Sequence, residues 1–319
     1  MRRNRRIWIF GGACAVAAAT AAPAAASPLE CRELAVHYAA NRQALVERQV
    51  NTLLAQAAQK GCLDLAAALI GDGASVHARR RGGETVLHVA VKLADPAVAA
   101  LFIDRGADIE LRTLAGATPL MLAVETNRPR LVAMLLDRGA DPNAPGRSAV
   151  SPLAAAAFTG NERVVDLLLG RGADPSAEDS TGKTAIAYAA ARGFTRIVER
   201  LLGAGVDVHR RYGNALTVLM WAAGHANDVP EVDGLRTVEL LLGRGARLDD
   251  TDNRGRTALM IAAELGHGAI VTLLLACGAD PGHRDGDGKT AFDIANPSVR
   301  ALLESPPTGN NPPKKCSSG

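Results

Sequence analysis

Apolar positions along this chain fall into short clusters that recur at fixed spacing. In "TALMIAAELGHGAIVTLLLACGAD" (257–280) a threonine opens an apolar run that ends in Ala262 and Ala263. Gly266 and His267 interrupt it, and Ile270, Val271, Leu274 and Leu275 then recur at the spacing of one buried helix face. The pattern predicts two short helices. The Thr257 hydroxyl suits the N-cap of the first. The small alanine pair lets neighbouring helices approach closely, Gly266-His267 makes the turn, and Gly278 suits the left-handed residue that ends the second helix. The polar, glycine-rich stretch "ADPGHRDGDGKT" returns the chain to the next threonine.

The same text repeats. Thr52, Thr85, Thr118, Ser151, Thr184 and Thr217 follow one another at intervals of 33 residues, Thr257 comes 40 later and Thr290 another 33. A glycine closes each unit: Gly73, Gly106, Gly139, Gly172, Gly205, Gly245 and Gly278. Pro119 and Pro152 fall just after the cap, where a helix tolerates proline. Self-similarity at this period predicts a stack of small units, each burying its apolar faces against its neighbours. Seven full units are expected, with "TAFDIANPSVRALLES" (290–305) as an incomplete eighth. The sixth unit is lengthened by "GHANDVPEVDG" (224–234), which reads as an extended turn between its helices. Pro230 and Gly234 serve as turn residues there, and the stretch reads as a tolerated loop. The alternative is an acidic lip to the groove, formed by Asp228, Glu231 and Asp233 with no basic residue among them.

"TVLHVA" (85–90), "TPLMLA" (118–123), "LLLGRGAD" (167–174) and "AAELGHGAIVTLLL" (262–275) resemble the ankyrin repeat, and the likeness covers residues 47–304. Ser151 in place of one threonine, the missing histidine in most units and the long sixth unit are local departures. The resemblance implies an all-α repeat solenoid: an ankyrin stack of helix–turn–helix units joined by β-hairpin loops, over residues 50–304. Residues 27–49 would add an N-terminal capping helix, and 305–319 a disordered tail.

Composition changes this picture at the ends. Residues 1–26 read as an export signal: a basic "MRRNRR", an apolar "IWIFGGACAVAAATAA", and small residues for cleavage near Ala26. An uncleaved membrane anchor is the rival reading, and the choice between general and twin-arginine export stays open. Four of the 36 basic side chains and none of the 33 acidic ones lie in this segment, so the remaining chain carries a net charge of −1. The overall positive charge is therefore no sign of a nucleic-acid partner, and no aromatic run suggests base stacking. Cys31, Cys62, Cys277 and Cys316 remain beyond it, without zinc-ligand spacing. A Cys31–Cys62 bond would tie the capping helix to the first unit, but that helix looks one or two turns too long to align them. Cys277 and Cys316 are expected to be free.

No nucleophile elbow, phosphate loop or paired metal ligands occur, so neither an enzyme nor a cofactor is expected. His88 and His267 fall where the repeat uses histidine for local hydrogen bonds. Ankyrin stacks bind partners along the fingers and the exposed side of the first helices. Carried onto this chain, that surface holds Arg79, Arg81, Lys92, Leu93, Arg112, Arg147, Phe158, Lys183, Arg192, Arg211, Tyr212, Arg254 and Arg256, with Leu114, Leu216 and Leu265 among them. The basic side chains outnumber the acids there, which predicts an electropositive concave face, an acidic back and a partner with an acidic surface. The expectation is a monomeric, periplasmic or secreted protein-binding scaffold. The alternatives are an effector that binds a target in another cell, and a binder of an anionic polymer or surface. Membrane contact would come only through an uncleaved signal.

Overall fold

The computed structural model describes residues 28–304, except Ala94 and Asn227, together with Cys316. The export-signal reading of 1–26 lies outside these residues, as does the expected tail apart from Cys316.

The repeat period appears as two rows of helices. The first row is α2 (Glu47–Lys60), α4 (Val86–Leu93), α6 (Pro119–Glu125), α8 (Pro152–Thr159), α10 (Ala185–Ala191), α12 (Val218–Ala223), α14 (Ala258–Leu265) and α16 (Ala291–Ile294). The second row is α3 (Leu63–Gly71), α5 (Pro96–Asp104), α7 (Pro129–Asp137), α9 (Glu162–Leu169), α11 (Thr195–Gly203), α13 (Glu231–Gly243), α15 (Gly268–Ala276) and α17 (Arg300–Glu304). Each helix packs on its partner in the unit and on the equivalent helices of neighbouring units. The alanine pairs sit fully inside, as at Ala156–Ala157, Ala189–Ala190 and Ala262–Ala263, so backbones approach where a larger side chain would hold them apart. One continuous apolar core runs from Tyr38 to Leu303.

The expected caps are largely in place. Thr118, Ser151, Thr217, Thr257 and Thr290 each accept from the amide three residues on. At Thr85 the hydroxyl meets Nδ1 of His88 at 2.8 Å, and Nε2 of His88 lies 3.3 Å from the carbonyl of Ala117 in the next unit. Thr52 is not a cap. It lies inside α2, which starts five residues earlier because no finger precedes it, and the Gln49 side chain accepts from the Val46 amide instead.

The fingers are shorter than true hairpins. Among the described residues only β1 (Arg211–Tyr212) and β2 (Leu216–Thr217) form a ladder, antiparallel with Arg211 opposite Thr217. Most others close on one backbone bond across the base, such as Arg80 to Glu84 (2.8 Å) and Asp285 to Lys289 (2.9 Å). Neighbouring fingers are sewn together instead, with amide donors on Leu114, Ser180, Gly213, Asn253 and Gly286 reaching carbonyls of the preceding finger.

The N-terminal lid is α1 (Pro28–Asn41), which ends eight residues earlier than expected. The Asn41 side chain folds back on the His37 carbonyl, and the Ala44 amide turns onto Asn41. The shorter helix removes the alignment problem: Cys31 is disulfide-bonded to Cys62, with Cα atoms 5.4 Å apart. Buried Tyr38 and exposed Arg42 both reach Asp72, and Lys60 pairs with Glu30 at 2.8 Å. The expectation of free thiols at Cys277 and Cys316 is corrected, since these two form a second disulfide.

Candidate binding surface

The inner face, shared by the fingers and the first helices, places the sequence-derived surface residues in three different situations. Arg79, Arg112 and Arg211 span fingers. Each guanidinium donates to a carbonyl of its own finger and to the carbonyl of the equivalent position one unit on, at Arg112, Pro145 and Thr251 respectively. These arginines act as staples between units. Arg256, Tyr212 and Leu216 are a correction, because all three are buried and cannot serve as exposed anchors. Asp252 receives Nε and Nη2 of Arg256 at 2.9 and 2.8 Å, and Glu264 receives Nη1 at 2.9 Å, which pulls the side chain inward. Tyr212 is drawn into the short ladder, with Arg210 over its ring. Arg81, Arg147 and Arg254 do stand exposed at the finger tips, while Lys92 pairs with Glu84 of its own finger and Leu93 packs half-buried on the core.

The third situation is a cluster in units four to six. Phe158 ends α8 and meets Tyr188 of α10 edge-on, with centroids 5.8 Å apart. The Lys183 ammonium lies 5.6 Å from the Tyr188 ring and 5.5 Å from the Trp221 ring of α12. The Arg192 guanidinium lies 5.6 Å from the Phe158 ring. Cations over ring faces are attracted by the ring quadrupole. Phe158, Lys183 and Arg192 were legible from the repeat register; Tyr188 and Trp221 were missed. Both occupy the fourth position after the unit threonine, where other units carry Val89, Leu122, Ala155 and Ile261. Reading that column across units is the signal that would have found them.

Asp179 holds the cluster in shape. Its carboxylate accepts from the Thr181 amide and hydroxyl (2.7 Å each), the Lys183 amide (3.1 Å) and the Tyr188 hydroxyl. Burial would raise its pKa, but the Tyr188, Thr181 and Lys183 bonds outweigh burial and hold it below the usual carboxylate range. Among the described residues no carboxylate neutralises the Lys183 ammonium. Arg192 does have an acid: Asp228 of the lengthened sixth unit, at 2.7 Å.

That unit differs from its sequence reading. Residues 231–234 are helical, and α13 begins directly after Pro230. The acids are also engaged: Asp228 with Arg192, Glu231 with the Ala269 amide at 2.8 Å, and Asp233 with Arg236 at 3.5 Å. Charge segregation is likewise softened by local pairing. Second-row acids meet arginines at Asp104–Arg138, Asp137–Arg171 and Glu199–Arg244, and finger arginines meet Glu178 and Asp250. Among the described residues no cluster of three or more histidine, cysteine or acidic side chains is placed to hold a metal ion, and no helix is long and apolar enough to cross a membrane.

Two rows of short helices and stapled fingers define a repeat solenoid, with Phe158 and Tyr188 half-exposed on its inner face over buried Trp221. The family model for ankyrin repeats matches three times, over residues 54–145, 153–232 and 229–312. The chain belongs to the ankyrin-repeat family, whose repeats serve generally as non-enzymatic scaffolds for protein–protein interaction. It is also similar to an ankyrin repeat-containing protein of Treponema pallidum (strain Nichols), 45% identical over 56 residues. That match spans 17% of this chain and 19% of the relative.

Proposed function

We propose that this protein is a non-enzymatic, exported scaffold that grips a partner protein through the inner face of units four to six, and that the partner presents an acidic segment there. The observation that carries the reading is the half-exposed pair of Phe158 and Tyr188 with Lys183 and Arg192, backed by buried Trp221. Three of the chain's ten aromatic side chains converge at one place. Aromatic anchors beside a cation without a paired acid, here Lys183, are the usual energetic centre of an interface. A preformed surface also loses little freedom on binding. Export is supported by the order of parts in residues 1–26 and by the two disulfides, which persist in oxidising compartments. The periplasm is the compartment we favour.

Affinity capture with the wild-type chain and with Lys183→Glu/Tyr188→Ala tests the surface. The variant should lose the specific partners, whereas Arg81→Glu/Arg254→Glu at the finger tips should weaken capture mainly at low salt. Retention of the same partners by the Lys183→Glu/Tyr188→Ala variant would sink the assignment. Recovery of the full-length chain only from the cytoplasm would sink the export reading.

A further inference from the structure

The lengthened sixth unit carries a feature that the binding surface does not use. His225, just after α12, lies flat against His267 at the start of α15, with ring centroids 3.9 Å apart and an interplanar angle of 28°. Both are buried, and Nδ1 of His225 and Nε2 of His267 have no hydrogen-bond partner among the described residues. The contact is tight: a Cβ at Gly234 would sit 2.5 Å from Nδ1 of His225. From this base the loop runs back over unit five. The Ala226 amide donates to the Ala191 carbonyl (2.9 Å), Val229 fills the space beside Gly193, and Asp228 occupies Arg192.

We propose that the stacked His225–His267 pair is an acid-released latch. In its neutral form it holds the loop so that Asp228 masks Arg192. Its protonation frees the loop and exposes a second cation beside Lys183 for an acidic partner. The proposal rests on the binding role of this surface, whose regulation it specifies. Two imidazolium rings cannot remain stacked at this distance in a buried site without strong repulsion, whereas both hydrate freely once the loop lifts. Burial and repulsion from His225 push His267 down to about 4, and burial likewise pushes His225 below the ordinary histidine value. Glu231 of α13 is the acid whose charge reaches both rings and pulls in the opposite direction, but it is committed to the Ala269 amide. The other nearby charges are paired: Asp228 with Arg192 of the unit-five turn, Asp233 with Arg236 on α13, and Glu264 of α14 with Arg256.

The sign follows from linkage. The open form takes up protons below about 6.5 and the closed form only near 4, so falling pH favours opening across that window. His267 alone shifts the opening equilibrium about 30-fold between pH 7.5 and pH 5. The test is amide hydrogen exchange at Ala226 in the full-length chain, corrected for intrinsic rates. Wild type should lose protection about 30-fold over that interval, and His225→Phe/His267→Phe should lose little. Unchanged protection in wild type, or equal loss in the variant, overturns the latch. Should the doubly substituted chain not fold, the wild-type profile decides, because a flat profile between pH 6.5 and 4 overturns the latch as well. Asp228→Asn unmasks Arg192 without touching the rings, and should bind a synthetic polyglutamate peptide more tightly than wild type at pH 7.5. A loop that opens on schedule while neither chain binds the peptide would overturn the binding reading and leave the latch standing.

Discussion

Thr118 and Thr184 hold equivalent places in units three and five, yet their hydroxyls do different work. Thr118 caps α6 by accepting from the Met121 amide at 3.2 Å, whereas Thr184 is buried with no partner for its hydroxyl and makes no cap bond. Removing a cap typically costs about 1 kcal/mol, while removing an already unpaired buried hydroxyl recovers its desolvation cost. Thr118→Val should therefore lower stability by about 1 kcal/mol, with Thr184→Val neutral or slightly stabilising. Urea unfolding of both reads the difference, and equal losses would show that β-branched shape, not the hydroxyl, matters at this position. The stapling arginines separate in the same way. Arg112 donates to two carbonyls on two fingers, so Arg112→Ala should cost roughly 1.5–3 kcal/mol. Arg147→Ala, exposed at a finger tip, should stay within about 0.5 kcal/mol.

At the scale of elements, α13 contains two glycines that sequence alone cannot tell apart. Gly234 abuts the His225 ring, but a Cβ at Gly243 would meet nothing within 4 Å. Glycine to alanine inside a helix ordinarily gains about 0.5–1 kcal/mol. Gly243→Ala should show that gain, whereas Gly234→Ala should lose about 1–3 kcal/mol by overpacking. Thermal melts of the pair check both signs. The comparison also shows what was legible. The period, the alanine pairs and most caps follow from local spacing, which each unit repeats, so the stack could be read from the chain. The sixth unit was misread because Pro230 and Gly234 look like turn residues. Pro230 in fact precedes a helix, and Gly234 is required by a ring contributed from outside its own helix. Tyr188 and Trp221 escaped for a related reason. They stand in a column whose other members are apolar and read as core; Trp221 is buried like them, and only half-exposed Tyr188 forms a surface with the neighbouring Lys183. The buried state of Arg256 depended on Asp252 and Glu264 meeting it, which residue type does not announce.

At the scale of the molecule, a solenoid has two ends whose faces lack a neighbour, and here each end carries one disulfide. Cys31–Cys62 ties α1 to the turn between α2 and α3, and Cys277–Cys316 ties a residue beyond the last unit to the end of α15. Because each unit touches only its neighbours, stability is set locally, and the terminal units are the first to fray. A crosslink spanning 31 residues contributes roughly 3–4 kcal/mol on the loop-entropy model, and one spanning 39 residues about the same. The N-terminal lid keeps other ties after reduction, since Tyr38 and Arg42 still meet Asp72 and Lys60 still pairs with Glu30. Reduction should therefore loosen the ends without unfolding the centre. Hydrogen exchange before and after treatment with dithiothreitol should show protection falling by one to two orders of magnitude in α1 and in the last turn of α15. Amides of α8 to α12, which carry the aromatic cluster, should be unchanged. A uniform loss across all units would mean that the stack unfolds as one cooperative body, and the two bonds would then stabilise the binding surface itself rather than its ends.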